Sequence, residues 1–176
     1  TFSQWGGLNH VVRYPDTRIN MTPASFTFGE LGGVSNYNLR ASAYSKQIKG
    51  SYSLSNRTYN NRIMLTYATG MLKNGWSFAT SLSTRFGNTI SYVEGTSYDA
   101  LSYFFAAEKK INKRHSINIT ILSAPTIRDM QANSVSEAYN LTGTNYYNPN
   151  WGWYNGERRS ARTRTTHEPV ALLTHY

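Results

Sequence analysis

The sequence predicts an all-β chain, an antiparallel segment of a transmembrane β-barrel, on three observations. Apolar residues recur with a period of two, their opposite faces carry small uncharged residues, and the connections alternate between short and long. Composition agrees. Of the 176 residues only 15% are charged while 14% are aromatic, and Tyr occurs 14 times. Hydrophobic content is 39% yet mean hydropathy is −0.53, so Ser, Thr, Asn, Tyr and Gly stand where charge is usual. Those residues suit strands with one greasy and one wet face better than helices.

The first forty-odd residues are irregular and glycine-rich, with Trp5-Gly6-Gly7 at one end, Phe28–Val34 at the other, and Arg13, Asp16 and Arg18 between. Alternation is clear from Gly50 onward. Ile63, Leu65 and Tyr67 alternate with Met64, Thr66 and Ala68. Trp76, Phe78, Leu82 and Phe86 share a face with Thr80 and Thr84, opposite Ser77, Ala79, Ser81, Ser83 and Arg85. Leu101, Tyr103, Phe105 and Ala107 oppose Ser102, Phe104, Ala106 and Glu108; Ile117, Ile119 and Ile121 oppose Asn118 and Thr120; Val170, Leu172 and Tyr176 form a last apolar row. A soluble sandwich points Lys, Glu and Arg at water. Here the polar face suits a crowded lumen and the bulky face suits lipid, and strands of that kind require a barrel.

Gly70–Gly75 and Ile111–His115 read as short turns, Gly87–Asp99 and Ala124–Glu157 as long loops, and Asn56–Asn61 as a loop short for its side. Short turns then mark the periplasmic end. Tyr52, Tyr59, Trp76, Phe86, Tyr98, Tyr103 and Tyr176 lie near strand ends, either as an interfacial girdle or through ordinary strand propensity. In the longest loop Ser134-Val135-Ser136-Glu137 spells a capping box for a helical turn that Gly143 ends. After it, Tyr146, Tyr147, Trp151, Trp153 and Tyr154, mixed with Asn and Gly, suit a face that stacks on sugars or flat ligands, or else a loop folded over its own aromatics.

No cysteine is present, which excludes disulfides and thiolate metal sites. No apolar run is long enough for a transmembrane helix, and the start lacks a signal-peptide pattern, so the expectation is a mature or truncated chain. The net charge of +9 raises nucleic-acid binding as an alternative, but only Arg158, Arg159, Arg162 and Arg164 cluster. His10, His115, His167 and His175 lack metal-ligand spacing, no catalytic constellation is assignable, and neither metal nor cofactor is expected. Arg85 and Glu108 fall on polar faces, as structural anchors within a lumen or as part of a binding path. Arg162 and Arg164 share a face that would continue the Val170–Leu172 row; beyond the bilayer they would meet lipopolysaccharide phosphates, unless they form a solvated stem or a bulge near Pro169 inverts the row.

Gly32-Gly33-Val34-Ser35-Asn36-Tyr37-Asn38 resembles the stretch that closes the plug domain of TonB-dependent outer-membrane transporters. Tyr52–Asn56 with Arg57, Gly75-Trp76-Ser77-Phe78, Tyr92-Val93-Glu94-Gly95-Thr96, Ala107-Glu108-Lys109-Lys110 and the stretch from Gly143 to Gly152 are similar, in order, to the Bacteroidetes branch of that family. The resemblance spans essentially the whole chain. It implies that residues 1–43 end a plug and that 44–176 form about six strands of a roughly 22-stranded barrel. It further implies import of a scarce nutrient ligand with energy relayed by TonB, which would contact a segment preceding this region. The implied location is the bacterial outer membrane, with lipid, lipopolysaccharide and possible surface-lipoprotein partners and no nucleic acid. Tyr146, Tyr147, Trp151, Trp153, Tyr154, Arg13 and Arg18 are the expected ligand contacts, and Arg85 and Glu108 the plug–barrel contacts. A complete small barrel with a structural or adhesive role, and a soluble basic β-protein binding glycan or nucleic acid, are the competing expectations.

Overall fold

The computed structural model describes residues 5–23, 28–29, 31–56, 59–87 and 93–176. Glu30, Arg57 and Tyr92 of the motifs above, with residues 88–91 of the second loop, lie outside the described residues. The chain is mostly β and its strand pairs are antiparallel.

The N-terminal part forms a two-stranded ribbon, β1 (Asp16–Arg18) with β2 (Val34–Asn36), and a 3-10 turn at Ala41–Ala43. The wall follows: β3 (Gln47–Leu54), β4 (Asn61–Ala68), β5 (Trp76–Gly87) and β6 (Tyr98–Lys110). It continues through β7 (Ser116–Ser123) and β8 (Thr126–Asp129). A short helix α1 (Ser136–Thr142) and a hairpin of β9 (Trp151–Tyr154) and β10 (Glu157–Ser160) precede β11 (Thr163–Thr166) and β12 (Val170–His175).

Among the described residues the wall has six strands in effect, because two pairs of elements are single strands interrupted by proline. Tyr103 opposes Ser123 and Ala100 opposes Thr126, so β7 and β8 hold one register along β6 across Pro125. Likewise Thr166 opposes Thr126 and Val170 opposes Leu122, so β11 and β12 continue in register across Pro169 without a bulge. Proline lacks the donor a ladder needs, which breaks the pairing pattern without displacing the strand. The long loop therefore begins after Asp129, later than the expected Ala124. The result is an open meander with β3 at one edge and β11/β12 at the other.

Burial alternates along every central strand, with small side chains inside. Ser77, Ala79, Ser81 and Ser83 are buried, while Trp76, Leu82 and Phe86 on the same strand are exposed. The contrast is steep: Ser81 is 1% exposed and Leu82 53%. Met64, Thr66 and Ala68 face inward, and Ile63, Leu65 and Tyr67 outward. Asn118 and Thr120 are buried while Ile117, Ile119 and Ile121 are exposed. What covers the inner face is the N-terminal segment. Leu8, Val11 and Ala41 pack on Ala68, Ala79, Phe104, Ala106 and Leu122, with Trp5, Leu39 and Tyr44 around them. Burying Leu8 and Phe104 fully contributes about 1.5–3 kcal/mol each. Burial pushes the pKa of the Tyr44 phenol up, so it stays a neutral donor to the Val11 carbonyl at 3.3 Å.

Two sequence expectations need correction. The Val170–Leu172 row opposes Leu122 and Thr120, so it lies on the inner face; Ala171 and Leu173 oppose Ile121 and Ile119 on the outer one. Tyr59, Tyr98 and Tyr176 also turn inward: Tyr98 is buried, the Arg85 guanidinium reaches both the Tyr59 and Tyr98 rings, and that of Arg40 sits 3.8 Å from the Tyr176 ring centre. Tyr52, Trp76 and Phe86 remain on the outer face. Face parity along the strand, rather than nearness to its end, decides where the Tyr98 and Tyr176 rings go, whereas Tyr59 precedes β4 and is turned by its loop.

Candidate functional site

The wall has two unlike ends. Residues 69–75 and 111–115 make tight turns at one, and residues 93–97 and 130–162 lie at the other. Both ends of the inner face hold the N-terminal segment by directional bonds.

At the short-turn end Glu108, 1% exposed, pairs with Arg40 and accepts from the Ser42 backbone N–H at 3.1 Å. Arg40 also donates to Ser116 Oγ at 2.9 Å, and the Asn118 side chain accepts from the Ala41 N–H at 3.3 Å. At the long-loop end Arg85 Nη2 and Ser102 Oγ both donate to the Gly6 carbonyl, at 3.0 and 2.5 Å. Arg85 and Glu108 thus both reach from the wall onto residues 1–43.

Between these anchors His10 bridges the segment to the wall, with Nδ1 2.9 Å from Thr66 Oγ1 and Nε2 3.2 Å from Ser51 Oγ. Burial, then the charges of Lys49, Arg62 and Arg13, lower its pKa below the ordinary 6.5. A folded-state pKa below the unfolded one means the unfolded chain binds the extra proton first. The contribution of this contact is therefore complete above pH 6.5 and is lost as pH falls below it. Protection of the amides at residues 8–12, taken from exchange rates corrected for their intrinsic pH dependence, is expected to fall from neutral to mildly acid pH, and His10→Gln is expected to flatten that dependence.

The long loop is ordered around its own aromatics. Helix α1 forms where expected and Gly143, left-handed at φ 66°, ends it. The capping box does not form: Val135 is the N-cap residue and no side chain caps the helix. The Ser134 N–H donates instead to the Tyr139 hydroxyl at 3.0 Å. The hairpin turns on Asn155-Gly156, both with positive φ, a pair that matches the strand twist. Buried Asn148 donates to the Glu94 carbonyl at 3.0 Å, and Arg158 pairs with the Glu94 carboxylate at 3.2 Å. Trp151 rests on Gly95, where a Cβ would come within 2.5 Å of the indole. That contact requires glycine.

Of the expected ligand residues, Tyr146, Trp153 and Tyr154 are exposed, whereas Trp151 and Tyr147 are partly buried in holding the loop. Trp151, Trp153 and Tyr154 line a cleft of about 810 Å³ with Arg158 and Arg159, the latter 3.7 Å from the Tyr154 ring centre. Arg13 lies elsewhere, in a cavity of about 530 Å³ with Trp5, His10 and Tyr37. Arg18 is held by Asp16 at 3.1 Å on the ribbon. The loop aromatics and the N-terminal arginines therefore do not share one cavity.

Arg164 belongs to a third place. It lines an inner-face pocket of about 270 Å³ with Gly6, Arg85, Tyr98, Thr126, Arg128 and Thr166. The unbroken register across Pro169 puts it inside, so it does not stand on the outer wall where lipopolysaccharide would meet it; Arg162 precedes it in the same parity, outside the strand. Arg128 was hidden in sequence because Pro125 made its strand read as loop. Arg62 shares the parity of Met64 and Thr66, but nothing in the sequence singles it out. Comparison with family models, with curated proteins and with solved structures finds no match to this chain.

Proposed function

We propose that this chain is the end of the plug and the first part of the barrel wall of a TonB-dependent outer-membrane transporter, importing a scarce nutrient ligand. The inverted sheet carries the proposal: serines, alanines and threonines are buried while Ile, Leu, Phe and Trp side chains cover the outer face. Monomeric soluble proteins rarely expose continuous apolar surface beyond a few hundred Å². In hydrocarbon the same surface is at home.

The vertical extent supports it too. On the outer face of β6, Asp99 and Lys109 are the charged residues, with Leu101, Tyr103, Phe105 and Ala107 between them. That interval is about 33 Å of extended strand, which at the tilt usual in such barrels stands about 25 Å tall, the height of their apolar band. The Lys109 ammonium lies 5.2 Å from the Trp76 ring centre, a pairing suited to headgroup depth. A wall of six open strands with its inner face filled by the N-terminal segment favours a larger plugged barrel over a small closed one. No helix among the described residues is long and apolar enough to cross a membrane, which says nothing of a strand-built wall.

These 176 residues hold no cysteine, so a cysteine introduced among them is the reporter once any others in the full-length protein are replaced by serine. In the full-length protein inserted in vesicles, Leu65→Cys and Leu82→Cys are expected to resist a membrane-impermeant maleimide until detergent is added. Rapid labelling of both before detergent would overturn the membrane assignment. Ligand uptake by whole cells should cease without TonB; uptake that continues refutes the energised-transport part alone.

A further inference from the structure

We infer that the long-loop end of the inner wall is an anion-binding belt, built by Arg62, Arg85, Arg128 and Arg164, for a small ligand carrying two or more acidic groups. The inference deepens the transporter reading and rests on it, since that reading makes the inner face a ligand path.

Register aligns the four side chains. Arg62 is directly opposite Arg85 on β4 and β5, and Arg128 is directly opposite Arg164 on β8 and β11. Between the pairs, Tyr98 on β6 opposes Arg128, and the Arg85 guanidinium carbon lies 5.6 Å from its ring centre. All four arginines are at the strand ends nearest the long connections, and three of them line the pocket with the Thr126 and Thr166 hydroxyls.

Like charges directly opposite in a sheet destabilise it, and here that arrangement occurs twice, in rows two residues apart on β6. Among the described residues none of the four is in an ion pair. Arg62 Nε and Arg85 Nε are buried without a hydrogen-bond partner, a costly state for a charged group. Among the described residues no acidic side chain lines the pocket. Of the nearby acids, Glu94 pairs with Arg158, Asp129 accepts from Ser97 and Thr163 hydroxyls, and Asp99 lies on the outer face; Glu168, two residues past Thr166 in the same parity, is exposed and has an interaction of its own.

Guanidinium groups match carboxylate and phosphate oxygens two at a time. Each opposed pair suits one acidic group, and Arg85 opposite Ala100 and Arg128 opposite Tyr98 stand about 12 Å apart across β6, two strand spacings over and two residues along, so a single monoanion satisfies only half the belt. A compact polyanion satisfies both halves.

Citrate, inorganic phosphate and maltose serve as probes, titrated calorimetrically into the full-length protein in vesicles at low ionic strength. Citrate is expected to bind, phosphate more weakly and maltose not at this site, and the citrate affinity should fall steeply with added salt. The double variant Arg128→Gln/Arg164→Gln leaves the Arg85–Gly6 bond in place and is expected to weaken citrate about 100-fold. Arg128→Lys/Arg164→Lys should recover part of that loss, as charge survives without the planar fork. No citrate binding, or equal binding by wild type and the Gln variant, overturns the belt. Phosphate binding as tight as citrate overturns the polyanion class. Maleimide shielding of Leu82→Cys, measured in the same preparation, separates the outcomes: shielding retained without citrate binding refutes the belt alone, and shielding lost refutes the transporter reading.

Discussion

Arg40→Ala is expected to cost about 3–5 kcal/mol of unfolding free energy, the range for breaking a buried ion pair, and to loosen residues 38–44 from the wall. The truncation removes both the Glu108 pairing and the 2.9 Å bond to Ser116 Oγ. The asymmetry within the pair sharpens the expectation. Glu108 is 1% exposed on its side chain and Arg40 28%. Removing the arginine strands a carboxylate with little besides the Ser42 N–H for compensation. Neutralising the acid leaves a guanidinium that keeps Ser116, the Tyr176 ring and some water. Glu108→Gln should therefore cost less, about 1–2 kcal/mol, the difference between a charge-assisted and a neutral hydrogen bond. Urea unfolding of vesicle-inserted protein, paired with amide exchange at residues 40–44, measures both. A Glu108→Gln loss equal to or larger than that of Arg40→Ala would contradict this arrangement.

Leu82→Arg separates lipid from water as the medium around the wall. Leu82 sits mid-strand on β5, 53% exposed, with Leu65 and Tyr103 as its cross-strand neighbours on the same face. Against hydrocarbon, an arginine near the midplane costs about 2–4 kcal/mol. Against water, a surface substitution of this kind stays within about 0.5 kcal/mol. The same measurement of unfolding in vesicles distinguishes the two by more than its error, and a neutral result is incompatible with the bilayer.

Period-two alternation was legible because each central strand carries its own record of the two environments: Trp76 to Phe86 already shows which residues share a face. The sense of that alternation, small side chains within and large ones without, followed from Ser81 and Ser83 lying opposite Leu82. Less legible were features set by pairing between strands. Pro125 and Pro169 each looked like the end of a strand, yet both are carried through in register. The Val170–Leu172 row consequently looked lipid-facing from its apolarity alone. Its true face is fixed by opposition to Leu122 and Thr120, a non-local fact. Arg164 moved inward with it. The partners of Glu108 and Arg85 were equally out of reach, since Arg40 and Gly6 are distant in sequence. The helix at Ser136–Thr142 was readable from Gly143, but its cap was not, because Tyr139 takes up the Ser134 N–H.

The smooth lining of the wall has a mechanical consequence. Ser77, Ala79, Ser81, Ser83, Ser102 and Ala106 present few protrusions for the N-terminal segment to interlock with. Beside the Leu8, Val11 and Ala41 packing and the His10 bridge, directional retention sits near the two rims, Arg40 to Glu108 at one and Arg85 with Ser102 to Gly6 at the other. A tensile load on such a segment meets resistance that is brittle rather than viscous: it holds until a rim fastening ruptures, and the bare track beyond offers little friction to travel.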